Sequence, residues 1–357
     1  MKIYFLDELL HTHSDPSPSA RTLPTSTLPA STLTIGNFDG VHRGHQAMLK
    51  EMLSQAQERQ LSSAVMLFEP QPREYFAKLS GKPNSAPARL TSLGEKQALL
   101  ADFGIETLII ARFDEAFRSL SAKEFAQILT QNLNVEALVL GDDFRFGHDR
   151  TGDSEFLRKF GLPVTTLDTI TDNTLLAERI SSTRIRHLLA KGELCAASEL
   201  LGRDYSITGE VVRGDQIGRT LAFPTANIAL NRLKPALHGI YGVDVVILDK
   251  DGNIDKDGWQ AAADTASAGV KGLRKHSLFG TANIGIRPSI DRPSDWRLEI
   301  YFPEFKGDLY GKTLNVRFIH YLHDEKKYAD LDALKSGIDQ DVKELLAWRQ
   351  SQSLANS

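Results

Sequence analysis

Between residue 31 and about residue 190, short apolar runs alternate with amphipathic helical stretches, and this order constrains the fold more than any other feature of the chain. The runs, Leu33-Thr34-Ile35 and residues 64–68, 107–110, 137–140 and 163–167, have strand length and are rich in β-branched residues. Ser92-Leu93-Gly94-Glu95 and Ser121-Ala122-Lys123-Glu124 mark helix starts between them, as capping boxes in which hydroxyl and carboxylate satisfy orphan amides reciprocally. Gly104 stops the first of these helices. Strand and helix alternating four times predicts a parallel sheet with helices on its faces, because parallel neighbours need crossover connections. Ligands of such sheets sit outside the carboxyl ends of the strands. After residue 203 the pattern changes to period-two alternation over 207–212, 242–248, 296–302 and 314–321, which predicts an antiparallel barrel or sandwich. A helix over about 330–349 closes the chain, with Leu331, Leu334, Ile338, Val342, Leu345 and Leu346 on one stripe. The expected organisation is a first domain over 1–187, a helical linker over 188–202 and a second domain over 203–357. The Ser/Thr/Pro-rich stretch 14–32 reads as an extended arm.

Composition narrows the partners. The chain has 357 residues, enough for two domains, and carries 42 Lys+Arg against 46 Asp+Glu. Cut at residue 190, the halves carry −3 and −1, so neither is a basic module of the kind that displaces counterions from nucleic acid. No apolar run approaches the roughly 18 residues that cross a bilayer. The N-terminal residues carry acids and histidines where a signal peptide needs apolar side chains. A cytoplasmic protein acting on small molecules, with no nucleic-acid or membrane partner, is expected; monomer and weak homo-oligomer both stay open. The single cysteine, Cys195, permits no internal disulfide and no cysteine-based zinc site.

The densest motif in the first half is Gly36-Asn37-Phe38-Asp39-Gly40-Val41-His42-Arg43-Gly44-His45, set between a strand and a helix. Glycines in a strand-to-helix turn let backbone approach a ligand, and the helix start behind them presents amides and a positive dipole end. His42 and His45, three apart, can both donate to phosphate oxygens, although an isolated pair of this spacing is more often two satisfied surface histidines. A bound zinc is a third reading and lacks a nearby third ligand. Ile180-Ser181-Ser182-Thr183-Arg184-Ile185-Arg186 offers hydroxyls and guanidiniums that suit a polyphosphate, or else an ordinary helix cap. Gly141-Asp142-Asp143-Phe144-Arg145-Phe146-Gly147 interleaves aromatics with charge at a strand's carboxyl end, as a ring-stacking loop or as a turn with two core phenylalanines.

Jointly, these segments resemble the HxGH nucleotidyltransferase superfamily. Phe68-Glu69-Pro70-Gln71-Pro72 with the 141–147 loop resembles its FMN adenylyltransferase branch. The resemblance implies a Rossmann-like domain in which Gly36, Asn37, Phe38, Asp39, His42 and His45 bind ATP, while Ser182, Thr183 and Arg186 grip the far end of its triphosphate. It implies that Asp143, Phe144 and Phe68 hold the flavin. Adenylyl transfer from ATP to FMN needs no nucleophilic serine or cysteine, so alignment and charge stabilisation suffice, with His42 and His45 catalytic.

In the second half, residues 214–227 combine a glycine-containing loop with Pro224, Thr225 and Asn227. Residues two apart on a strand project to one side, so Thr225 and Asn227 can offer oxygen to one hard cation, although Pro-Thr-Ala-Asn is equally good turn chemistry. Glu299, between Leu298 and Ile300, points away from the face those two bury and can take a proton from an alcohol, or else is a solvated strand glutamate. The stretch 214–228, Ala282-Asn283-Ile284-Gly285 with Pro288, residues 298–302 and residues 307–311 resemble riboflavin kinase. That implies a six-stranded Greek-key barrel, ATP held by Gly214, Gly218, Arg219, Pro224, Thr225 and Asn227, Mg²⁺ on Thr225 and Asn227, and Glu299 as general base on the ribityl 5′-hydroxyl of riboflavin. The two halves together resemble the bifunctional bacterial enzymes that make FMN from riboflavin and FAD from FMN, with ATP and Mg²⁺ at both steps.

Three features depart from that pattern: Ala222 where a glycine is usual, His323 where an arginine is common, and a long stretch 249–279 that reads as a surface insertion. Within it, Asn253 to Gly258 with Asp264 imitates a calcium loop and fails at its first and last ligands. Residues 307–313 imitate a Walker loop but are one residue short and lead into a strand. The rivals are a flavin-sensing protein without catalysis and a nucleotidyltransferase for another phosphate substrate, against which the second half argues.

Overall fold

A computed structural model describes residues 1–11, 28–172, 178–214, 223–287 and 295–355. The chain divides into two compact units, one of Met1–Pro87 with Lys96–Ser181, the other of Ala88–Glu95 with Ser182–Ser357. Each is taken by itself.

The first unit is built on a parallel sheet of β1 (Lys2–Phe5), β2 (Ser31–Ile35), β3 (Ser62–Glu69), β4 (Thr107–Arg112), β5 (Val135–Gly141) and β6 (Val164–Leu167). They lie side by side in the order β1-β4-β3-β2-β5-β6, every neighbouring pair parallel. Strand β2 is buried at all five positions, which is why it reads in sequence as a continuous apolar and β-branched run. Chain order runs one way from β2 through β3 to β4 and the other way through β5 to β6. The reversal falls between β2 and β5, the switch point where ligands of such sheets bind. Strand β1 at the edge was not foreseen: Ile3 and Phe5 are 43% and 45% exposed, so no burial pattern marks it. The expected arm is also shorter, since Ser31 and Thr32 already belong to β2; most of it lies outside the described residues. The second predicted capping box forms, Ser121 Oγ accepting from Glu124 N–H and Glu124 accepting from Ser121 N–H at 2.8 Å.

In the second unit β7 (Ser206–Val212), β8 (Thr225–Ile228), β9 (Gly239–Leu248), β11 (Leu278–Arg287), β12 (Asp295–Tyr301) and β14 (Thr313–His323) close into a barrel, with all neighbours antiparallel. Closure leaves no unpaired edge. Strands β10 (Ala263–Ala268) and β13 (Phe305–Gly307) form a separate ribbon. The stretch expected as a surface insertion therefore has structure: a short helix, Gly258–Ala262, sets Trp259 among Phe302 and Phe305 with ring centroids 5.2 and 5.5 Å away. The final helix, Leu331–Ala355, buries Val342 and Leu345, whereas Leu331 is 63% exposed and drops out of the expected stripe. Helices Ser182–Ala190 and Leu194–Leu201 belong to this unit, the second packing on β14. So does segment Ala88–Glu95, whose Ser92–Glu95 capping box forms as predicted. Glu95 accepts both arms of a bidentate contact from Arg232 at 2.6 and 2.7 Å, and Thr208 N–H donates to it at 2.6 Å. Both side chains are buried, so the pair is held by hydrogen bonds as well as charge.

Candidate functional site

In the first unit the chain leaves β2 with Gly36 N–H donating to Met66 C=O at 3.1 Å, then turns tightly into the helix Arg43–Arg59. The turn is strained. Phe38 and Val41 have φ of +46° and +40°, left-handed values that are rare for a bulky or β-branched residue. Strain of this kind, roughly 1–3 kcal/mol per residue, persists only where surroundings enforce it, and it clusters at functional sites. His42 caps the helix: its Nδ1 accepts the His45 backbone N–H at 3.4 Å. With Nδ1 an acceptor, the proton of a neutral His42 is on Nε2. The two imidazoles stack with centroids 3.6 Å apart. A Cβ on Gly44 would lie 3.2 Å from the His42 ring, close enough that the ring would have to shift. Burial pushes the His45 pKa well below its ordinary 6.5, assisted by His42 and then by Lys96. Its Nδ1 is buried without a hydrogen-bond partner, a polar atom that a ligand would satisfy.

Other expected residues surround this turn or stand apart from it. Asp39 is buried at 2% exposure. The β5 loop is adjacent through Gly141, where a Cβ would lie 3.6 Å from Met48 of the His45 helix. Asp143 meets Arg179 at 2.7 Å in an exposed ion pair, weak enough for a ligand to compete. Phe144 and Phe68 are half-buried at opposite ends of a continuous row of rings: Phe68, Phe117, Phe125, Phe146 and Phe144, with centroid spacings of 5.2 to 5.9 Å. Phe146 is a core residue. Ser182, Thr183 and Arg186 open the helix Ser182–Ala190 of the other unit, Arg186 Nε donating to Ala88 C=O at 2.5 Å.

The sequence reading passed over Lys96. It is fully buried, and its Nζ donates to Asn37 C=O at 3.3 Å, which brings the lysine head group against the turn. A lysine in an amphipathic helix ordinarily reads as solvated, so only the fold exposes its place.

In the barrel, alternation sorts the candidate residues. Ala226 and Ile228 are buried while Thr225 and Asn227 are half-buried on the opposite face of β8. On β12, Leu298 and Ile300 are at most 1% exposed and Glu299 faces the other way. The register sets Glu299 directly opposite Asn227 on one side and Asn283 on the other, with Tyr301 between Thr225 and Thr281 one step along. Paired residues of this kind carry Cβ atoms about 4.5–5.5 Å apart. Three amides and carboxylates thus form one row, and two hydroxyls with a phenol form the next. Asn283 Oδ1 and Thr281 Oγ1 are buried without hydrogen-bond partners, so this face holds polar groups awaiting a ligand. Asn283 entered the sequence reading only as part of a motif. A Cβ on Gly214 would lie 2.5 Å from the Asn227 amide, so the Gly214 backbone covers that side chain. Pro224 precedes β8; Gly218, Arg219 and Ala222 lie outside the described residues. His323 reaches Asp341 of the final helix at 2.9 Å.

A doubly wound sheet with an amide and imidazole cradle at its switch point, in one chain with a barrel bearing a carboxylate, amide and hydroxyl row, defines an enzyme with two phosphate-handling sites. Family models agree with the division: residues 25–184 match FAD synthetase and residues 201–349 match riboflavin kinase. The bifunctional riboflavin kinase/FMN adenylyltransferase of Escherichia coli K12 is 40% identical over 314 residues, 87% of this chain and 90% of that one. The protein of the same name from Haemophilus influenzae is 39% identical over 332 residues, 91% and 96% of the two chains. Among solved structures, a Streptococcus pneumoniae protein titled a macrolide-efflux protein aligns with a TM-score of 0.68 and 26% identity, covering 91% of this chain and 96% of that one. Among the described residues of this chain, no helix is long and apolar enough to cross a membrane. The chain belongs to the bifunctional riboflavin kinase/FMN adenylyltransferase family.

Proposed function

We propose that the turn 36–45 is the ATP site of the adenylyltransferase and that the Glu299 row is the reaction centre of the kinase. The chain phosphorylates riboflavin to FMN and adenylylates FMN to FAD, the two activities of its family. In the first unit Gly36, Asn37, Phe38 and Asp39 border the nucleotide, and His42 and His45 donate to phosphate oxygens. A phosphate oxygen of FMN bonds to the α-phosphorus of ATP as the bridge to the β-phosphate breaks and pyrophosphate leaves. Ser182, Thr183 and Arg186 hold that leaving group; Asp143, Phe144 and Phe68 orient the flavin. In the barrel, Glu299 accepts the proton of the ribityl 5′-hydroxyl as its oxygen bonds to the γ-phosphorus and ADP leaves. Gly214, Gly218, Arg219, Pro224, Thr225 and Asn227 hold that nucleotide.

The hydroxyl of Thr225 and the amide oxygen of Asn227, side by side on one face and across from a carboxylate, are hard oxygen donors suited to Mg²⁺. The ion would neutralise charge on the phosphates there. For the domains the proposal is 1–187 and 203–357 with 188–202 between them; the matched segments 25–184 and 201–349 support it, while by packing the helices of 182–201 go with the second unit. A cytoplasmic setting suits a chain whose one cysteine is exposed and free.

The observation that carries this reading is the Asn227–Glu299–Asn283 register on a barrel linked to an independent switch-point cradle. Incubation with riboflavin, ATP and Mg²⁺ followed by chromatography yields FMN and then FAD; flavin retained with neither product would defeat it. A second expectation concerns the glycine. Gly214→Ala pushes the Asn227 amide aside and raises the kinase KM for ATP about tenfold, as misplacement of a positioning group does, while FMN adenylylation is unchanged.

A further inference from the structure

We infer that Lys96 is a positioning residue for adenylyl transfer: its ammonium anchors the Asn37 carbonyl and supplies the fixed positive charge behind the two histidines of the turn. This rests on the adenylyltransferase reading of residues 36–45.

At most one of the two histidines can carry that charge. Their rings stack at 3.6 Å, where two imidazolium ions would repel strongly, and His45 is held neutral by burial. A neutral imidazole donates one hydrogen bond and neutralises nothing, yet a triphosphate brings several negative charges. Lys96 adds a buried ammonium beside the turn, held against the Asn37 carbonyl. It is fully buried and reaches the turn through the Asn37 carbonyl. In low dielectric a charge there acts at longer range than one in water. Its bond to Asn37 C=O also braces the strained segment in which Phe38 and Val41 are left-handed. The same charge, with His42, is among the groups that keep His45 unprotonated, so its Nδ1 and Nε2 stay in the one-donor state.

The test uses the full chain. Lys96→Met should lower FMN adenylylation about a hundredfold, with most of the loss in kcat, as removal of preorganised charge does. Riboflavin phosphorylation serves as the control for folding and should stay within twofold. The acid limb of the adenylylation pH profile should move up, because one of the charges that depress His45, after burial and His42, is gone. Should Lys96→Met lose kinase activity as well, Lys96→Gln, which keeps a donor for Asn37, is read for the same acid-limb shift. Adenylylation and acid limb unchanged in either folded variant, or a wild-type His45 that NMR titrates at 6.5 or above, would overturn the inference. If His45→Ala leaves FAD synthesis intact, the site reading itself fails; if His45→Ala abolishes it and Lys96→Met does not, only the role of Lys96 fails.

Discussion

Glu299→Gln should remove riboflavin phosphorylation by a factor of about 10³, within the range that loss of a positioned general base produces, while added FMN is still converted to FAD. The argument is local and geometric. Leu298 and Ile300 hold β12 in the barrel core, which commits Glu299 to the opposite face, and a slip of one residue would reverse both. That face sets the carboxylate opposite Asn227 and Asn283, so an alcohol bound there meets one group able to take its proton and two amides able to orient it. Glutamine keeps the shape and one acceptor oxygen and loses the basicity. The expected signature is a collapse of kcat for phosphorylation, an unchanged KM for ATP, and a melting temperature close to that of the unaltered chain. Chromatography of a riboflavin incubation should show unreacted substrate, and the same sample supplied with FMN should show FAD. Phosphorylation persisting at more than a tenth of its rate would remove Glu299 from the base role.

Much of this architecture is legible in the chain because burial leaves a period. Strands β2 to β5 are covered on both faces, so each writes a continuous apolar run; the barrel strands have one core face and alternate. Strand β1 writes neither pattern, since an edge strand with exposed Ile3 and Phe5 is not separated by burial from a surface segment. Leu331 shows the opposite failure: its spacing continues the stripe of the last helix, but at the first residue of that helix it is 63% exposed. The stretch 249–279 reads as a surface insertion because it is long for the family pattern, and Trp259, which helps anchor it, meets rings some forty residues later in the chain.

The candidate sites divide in the same way. His42, Gly44 and His45 are contiguous and announce themselves, as do Thr225 and Asn227. Lys96 and Asn283 do not, because what makes them functional candidates is a neighbour distant in sequence: the Asn37 carbonyl for one and the Glu299 carboxylate for the other. The burial of Lys96 and the orphaned Asn283 Oδ1 are properties of packing, and no residue type or spacing encodes them.

His45→Ala should do to FAD synthesis what Glu299→Gln does to FMN synthesis: a loss of roughly 10²–10³, the scale of removing one preorganised donor from a charged transition state, with FMN accumulating. The histidine stands on the first turn of the helix Arg43–Arg59, and its ring is fixed between the stacked His42 and the tilted Phe38, whose centroid is 5.1 Å away. It therefore spends no entropy on reaching a phosphate. Its depressed pKa makes a second, independent demand. In the unfolded chain the imidazole takes up a proton as pH falls through its ordinary 6.5; in the folded chain, where burial comes first and the His42 and Lys96 interactions follow, it does so only at lower pH. Over that window the unfolded state binds more protons, so the group's contribution to stability falls as pH drops below 6.5 and is complete above it. Adenylylation should accordingly be insensitive to the titration of His45 between about pH 7 and 8 and decline only in acid, and His45→Gln should flatten the part of the acid destabilisation that this window supplies. A wild-type adenylylation profile that instead rises as pH falls from 7 to 6 would mean that the protonated imidazole is the working form and that the stacked pair with His45 neutral is not the state in which the triphosphate is bound.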